Sequence, residues 1–159
     1  MENLPPLLPA LALVPLLGAV IWSDLRFRRI PNRLVMTVAA LALLDWALMP
    51  ERSLGVGLLR LLLMLGALGL FCIPFWFGWM GGGDVKLLSA LALWCTPELY
   101  LQLLLIASLT GFVVTLGTIF YLWHDKRDPA QQPGVPYGVA IAAAALWVLC
   151  QPVVNHLAA

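Results

Sequence analysis

Charge is what this sequence has least of. Only 11% of its 159 residues are charged, 62% are hydrophobic, and the mean hydropathy is +0.95. An ordinary soluble domain is about 25% charged, so an integral membrane protein is expected. The formal net charge of +1 leaves no basic face for nucleic acid. Cysteine is scarce as well. The three present, Cys72, Cys95 and Cys150, lie in apolar runs and form no C-x-x-C pair. That excludes a disulfide framework and a thiolate zinc site, leaving lipid- or core-facing packing residues. The two histidines, His124 and His156, are isolated and not at metal-ligand spacing. No metal or cofactor is expected. No basic n-region precedes the first apolar run, so that run is expected to be a retained span and not a cleaved signal peptide. No long polar region offers a second domain, so residues 1–159 are expected to form one membrane domain.

What is present is a series of solid apolar runs. Six can be drawn: Leu7–Trp22, Leu34–Met49, Leu54–Phe77, Val85–Cys95, Leu99–Trp123 and Gly138–Val154. A straight span needs ~20 residues. The third and fifth satisfy this, and the first, second and sixth can extend into their flanks. The fourth is short enough to be either a short span or a helix that stops within the layer. The runs do not alternate, which excludes a β-barrel. The expected fold is an all-α polytopic bundle of about six transmembrane helices.

Basic residues give an orientation. If Ser23–Arg33 is cytoplasmic, alternation puts Gly78–Asp84 and His124–Tyr137 on the same side. Those segments and their edges hold Arg26, Arg28, Arg29, Arg33, Lys86, Lys126 and Arg127, which leaves Arg52 and Arg60 for the other face. Both termini are then extracytoplasmic. Trp22, Trp76, Trp79 and Trp123 fall near the cytoplasmic interface, where an aromatic belt belongs.

Within this frame two carboxylates share a side and a depth. Asp84 follows Gly81-Gly82-Gly83 at the start of the fourth run, and Asp24 closes the first. An ionisable residue at a membrane segment is a functional hypothesis by default. Two close carboxylates do not both ionise easily, so one holds a proton while the other stays basic. The basic one can draw a proton from water attacking a peptide carbonyl, and the protonated one can hydrogen-bond that carbonyl. Each also has a plain structural reading. Asp24 can pair with Arg26, Arg28 or Arg29, and Asp84 can be a helix N-cap with Lys86 as a near neighbour. Asp45 and Arg60 lie within apolar runs toward the outer face and are expected to form a structural ion pair, or Arg60 to snorkel outward. Neither is a catalytic candidate.

The surrounding residues resemble a known family. Gly81-Gly82-Gly83-Asp84 fits a G-x-G-D signature, continued by Val85-Lys86-Leu87-Leu88. Asp24 followed by Arg29-Ile30-Pro31-Asn32 resembles a second block, and Val135-Pro136-Tyr137-Gly138 a third, P-[YF]-G, block. Together they resemble the type IV prepilin peptidases, G-x-G-D aspartic membrane proteases related to archaeal preflagellin peptidases. The resemblance implies Asp24 and Asp84 as the catalytic pair. It implies a prepilin or pseudopilin substrate, whose leader is cut after a glycine at the cytoplasmic face of the bacterial inner membrane. Gly81 and Gly83 can admit an extended substrate backbone, and Tyr137 and Gly138 can flank it. Pro31, Asn32, Pro136 and Lys86 match family positions as supporting residues. Lys86 is open to a role in tuning the pair, in touching lipid phosphate, or as a plain interfacial anchor. Larger members carry an N-terminal cytoplasmic domain, often with two C-x-x-C pairs, and N-methylate the new amino terminus. The first loop here has no cysteine, so that domain is not expected and methyl transfer stays open, and the short form resembles the enzymes of Flp or tight-adherence pili. The tract Lys126–Gly134 is expected to be a polar connector, with gating of substrate entry as the alternative. A non-enzymatic rival class would be a small transporter using the aspartates as ion or proton ligands. That reading favours midplane ionisable groups and internal repeats, and neither is evident. A scaffold subunit of a secretion machine is a third reading.

Overall fold

A computed structural model describes residues 7–48, 53–125 and 135–158. Arg52 and the tract Lys126–Gly134 lie outside the described residues, as do the side chains of Trp123, His124, Cys150 and His156. Six α-helices follow in order: α1 Leu7–Phe27, α2 Asn32–Leu48, α3 Leu54–Trp76, α4 Gly82–Ala92, α5 Pro97–Asp125 and α6 Tyr137–Ala158. The described residues contain no strand.

The shortest helix is the most enclosed. Val85 and every residue from Leu87 to Ala92 on α4 are buried. It packs against α2, α3 and α6, while α6 also packs against α1 and α5. Leu17 and Val20 of α1, Val38 of α2, Leu87 and Leu91 of α4, Leu103 of α5 and Val148 of α6 make the fully enclosed centre. The small residues Ala140, Ala142, Ala144 and Ala145 let α6 come close to its neighbours, as alanine does at helix contacts within bilayers.

Two helices, Leu54–Trp76 and the Pro97–Tyr121 part of α5, are long and apolar enough to cross a membrane, and only 6% and 11% of their apolar windows are buried within the protein. A core helix of a soluble protein would be mostly enclosed. Here the apolar surface faces outward, as lipid contact requires. By contrast, the eleven residues of α4 rise only about 16 Å, about half the hydrocarbon thickness. The fourth apolar run is thus a half-length helix starting three residues earlier than its apolar pattern, at Gly82. Its end is set by a tight turn, in which Trp94 N–H donates to Leu91 O at 3.0 Å and Cys95 N–H to Ala92 O at 3.3 Å.

The return is made by α5. Near its start the Tyr100 hydroxyl donates to Leu88 O at 3.2 Å. Further along, Thr110 Oγ1 donates to Ala140 O at 3.2 Å on α6. The α4–α5 hairpin therefore comes back to the level where α4 and α6 begin, whether or not α4 reaches the far surface. A polar contact also sits at the opposite ends. Arg60 of α3 and Asp45 of α2 lie 3.6 Å apart, with side chains 13% and 11% exposed.

Candidate functional site

Three helix ends converge on one cavity of about 500 Å³, lined among others by Asp24, Arg28, Ile30, Gly81, Asp84 and Tyr137. Each arrives for a local reason.

Asp24 lies in the last turn of α1, which outruns its apolar run and ends at Phe27. Arg28 then takes a positive φ of 52°, and its N–H donates to Asp24 O at 2.9 Å. A left-handed residue is the usual way to stop a helix, though it is normally glycine. The Ser23 hydroxyl donates to Arg29 O at 2.8 Å, folding the chain back so that Ile30 stands over the cavity. Pro31 O then accepts the N–H of Leu34 at 3.0 Å and opens α2.

The carboxylate of Asp24, 6% exposed, reaches across to α6. Val139 N–H donates to its Oδ2 at 3.1 Å, and Gly138 N–H donates to it as well. Helix α6 begins after Pro136, whose carbonyl also accepts from Val139 N–H at 3.3 Å. Proline has no side-chain acceptor for the first-turn N–H groups that every helix leaves unpaired. Asp24 supplies that cap from another helix. Gly138 makes the approach possible: a Cβ there would lie 2.8 Å from Asp24 Oδ2 and 2.8 Å from Ile30 Cδ1.

Asp84 is the third helical residue of α4, and Gly81 is the N-cap. The Gly81 carbonyl accepts the N–H of Asp84 at 3.1 Å and of Val85 at 3.2 Å, while Gly81 N–H donates back to the Asp84 carboxylate. This is half of a capping box. Asp84 caps from inside the helix, and the N-cap position expected for it belongs to Gly81. A Cβ on Gly81 would lie 2.8 Å from Asp84 Oδ2, and one on Gly83 would lie 3.1 Å from Ile30 Cβ. Ile30 thus packs against both Gly83 and Gly138.

The two carboxylates are not equivalent. Burial raises Asp84, repulsion from Asp24 raises it further, and its pKa reaches about 6 despite the Gly81 N–H. Burial also raises Asp24, opposed by the Val139 N–H, the positive charge of Arg28 and the Gly138 N–H. The positive end of the α6 dipole adds to that opposition. Between the two, Asp84 is the better proton holder and Asp24 the better charge holder.

The other expected residues divide. Gly81, Gly83 and Tyr137 line the cavity, joined by Gly82, Arg29 and Val135, which were not among them. Lys86 and Asn32 do not: Lys86 Nζ donates to Asn32 Oδ1 at 3.1 Å, and both border a separate groove with Val35 and Ser89. They clamp α2 to α4 on another face. Ser23, the Val139 N–H and the seat of Ile30 were not singled out from the sequence. Val139 directly follows the Pro136-Tyr137-Gly138 block, and Ser23 gave no signal beyond adjacency to Asp24.

The chain also matches known proteins. The model of the type IV leader peptidase family matches residues 11–116, which include Asp24 and Asp84. A protein of Xanthomonas campestris pv. campestris named "Prepilin leader peptidase/N-methyltransferase" is 33% identical over 154 residues, covering 88% of this chain and 48% of the relative. The chain thus spans about half the length of that curated relative. No solved structure matches the chain.

Proposed function

The chain belongs to the type IV leader peptidase family, and from that footing we propose that it is an aspartic endopeptidase that removes the leader of Flp-type prepilins or pseudopilins. The observation that carries the proposal is the single cavity shared by Asp24 and Asp84, with Asp84 raised to about 6 partly by the charge of Asp24.

In its singly protonated form, which a pKa of about 6 at Asp84 favours below that pH, the site holds one proton between two carboxylates. With the scissile peptide in the cavity, ionised Asp24 accepts a proton from water as its oxygen bonds to the carbonyl carbon. Protonated Asp84 donates to the carbonyl oxygen, and the product is a neutral tetrahedral diol. On collapse, Asp84, now ionised, takes the proton of one diol hydroxyl as the carbonyl re-forms. Asp24, now protonated, gives its proton to the leaving nitrogen as the C–N bond breaks. The pair returns to its starting state with one water consumed. General acid–base steps of this kind contribute ~10²–10⁴-fold each. The pair titrates as a unit, so the assignment describes its dominant microstate.

The proposed setting is a multi-pass protein of the bacterial inner membrane, with six membrane-embedded helices of which the eleven-residue α4 reaches only about halfway across, both termini outside and the cavity at the cytoplasmic interface. The basic residues of Arg26–Arg33 beside the cavity support that side, and exposed Trp22, Trp76 and Trp79 near the ends of α1 and α3 suit an interfacial belt. A substrate leader then remains in water while the apolar helix after it enters lipid.

Co-expression with an epitope-tagged prepilin tests the proposal. The expected result is a shift to the leader-free size on gels, with N-terminal sequencing placing the cut after a glycine. Asp24→Asn and Asp84→Asn are each expected to leave the prepilin uncut at normal protein levels. An uncut prepilin with the unaltered protein present would refute the peptidase reading.

A further inference from the structure

A second groove, of about 380 Å³, begins where the catalytic cavity ends. Tyr137 lines both. From Tyr137 the groove runs along α5 as far as Leu104, with Phe71 of α3 on the opposite wall and Leu88 of α4 and Ile141 of α6 beneath. It exists because α4 is short and enclosed. Helix α3 packs on α4 and α5 packs on α6, but α3 and α5 share no comparable interface.

Its chemistry is one-sided. Ser108 and Thr115 are its hydroxyl-bearing residues on α5, and each spends its hydroxyl within α5, on Leu104 O at 2.8 Å and Gly111 O at 2.7 Å. Neither offers its proton to an occupant. Ala107, Gly111 and Thr115 recur every four residues on this wall, so an apolar helix can approach α5 closely. The two walls belong to the two helices whose apolar windows are only 6% and 11% buried, so the groove is reached sideways from lipid.

We propose that this groove seats the apolar helix that follows the scissile bond of the substrate, with Ser108 and Phe112 against it and Tyr137 at the point where the helix meets the cleaved segment. The inference rests on the peptidase reading above. An extended chain would leave most of its backbone N–H and C=O groups unpaired there, since the hydroxyl protons of α5 in the groove are already spent. A helix satisfies its own backbone and needs only shape and apolar contact. What enters the groove beside Tyr137 is already aligned with Asp24 and Asp84, so the groove sets which apolar helix is presented and at what register.

The test compares two probes in full-length protein in lipid nanodiscs. One is a prepilin with leader and apolar helix. The other is a soluble peptide that keeps the leader and cleavage site but ends before the helix. Ser108→Trp fills the groove and is expected to lower the prepilin-to-peptide cleavage ratio at least about tenfold. Leu109→Trp, on an exposed position of α5 that does not line the groove, is expected to leave the ratio unchanged. A wild-type protein that cleaves neither probe removes the peptidase reading and this inference with it. Cleavage of both probes, with the Ser108→Trp ratio equal to wild type, overturns the groove alone and leaves lipid as its occupant. If Ser108→Trp does not fold, benzoyl-phenylalanine at position 112 in an Asp84→Asn background decides. Photo-adducts to the prepilin helix from position 112 and none from position 109 support the seat, and no adduct from 112 overturns it.

Discussion

Aspartate is used in two opposite ways in this molecule. At one end Asp45 lies 3.6 Å from Arg60, and both side chains are almost enclosed. At the other, Asp24 and Asp84 share a cavity, and the charge of one raises the pKa of the other. The Asp45 charge is compensated by an opposite charge, so the pair is inert and holds α2 to α3. The Asp24 charge is held by backbone N–H groups and Arg28, and that of Asp84 only by Gly81 N–H. With a like charge in the same cavity, Asp84 holds its proton up to about pH 6. On the proposed function, the opposite charge beside Asp45 and the like charge beside Asp84 separate a structural aspartate from a reactive one.

The largest expected effects come from neutralising each aspartate in turn. Asn in place of Asp24 or Asp84 keeps an oxygen that accepts hydrogen bonds but removes the acid–base function. Each is expected to lower prepilin cleavage by ~10²–10⁴-fold or more, measured as initial rates per folded molecule. Asp45→Asn should do the reverse. It strands Arg60, and leaving a buried charge without its partner costs about 3–5 kcal/mol. Thermal stability in detergent should fall clearly while the rate per folded molecule stays within about threefold, a change of less than 1 kcal/mol. A larger loss of rate would blur the distinction between the two ends.

Gly138→Ala comes next. The added Cβ would lie 2.8 Å from Asp24 Oδ2, so Asp24 must leave the α6 N-terminus. A displacement of about 1 Å can cost ~10²-fold in rate, so a loss of that order is expected with the protein still inserted. Gly66→Ala is the contrast, since a Cβ there meets nothing within 4 Å, and near-normal cleavage is expected.

The pH dependence of stability is a smaller effect with a definite sign. Asp84 is raised from 3.8 to about 6 in the folded state. Between those values the unfolded chain binds fewer protons than the folded one, so the Asp84 contribution makes stability fall as pH rises through about 4 to 6. Asp84→Asn removes that decline. The variant is expected to gain melting temperature relative to wild type at pH 7 and to lose that advantage near pH 4. Smallest of all is Lys86→Ala. It removes one exposed bond to Asn32, worth about 1 kcal/mol, and cleavage is expected to change less than about threefold. A large loss would return Lys86 to the cavity chemistry.

Much of this was legible from the chain. Solid apolar runs gave the helices, since lipid-facing helices need no alternation, and the blocks around Asp24, Asp84 and Tyr137 gave the site. What was not legible depends on pieces far apart in sequence. Pro136 shows that α6 lacks a side-chain cap of its own, but not that Asp24 provides one. Three glycines make a poor helix start by propensity, yet α4 begins at Gly82 because packing overrides propensity and Gly81 O accepts the N–H groups of Asp84 and Val85. Lys86 looked like a neighbour of Asp84 because the two are close in sequence. On a helix, residues two apart face different ways, and the bond to Asn32 carries Lys86 away from the cavity.

The claim that Asp24 and Asp84 hold one proton between them is tested most directly by titrating the carboxyl of Asp84. Carbon-13 NMR of the aspartate carboxyls in nanodiscs, assigned with Asp84→Asn, follows it in wild type and in Asp24→Asn. The expected midpoint is about 6 in wild type and lower in Asp24→Asn, where the repulsion is gone and burial alone raises it against the Gly81 N–H. A wild-type midpoint near the ordinary aspartate value, or the same midpoint in both proteins, would contradict the shared proton.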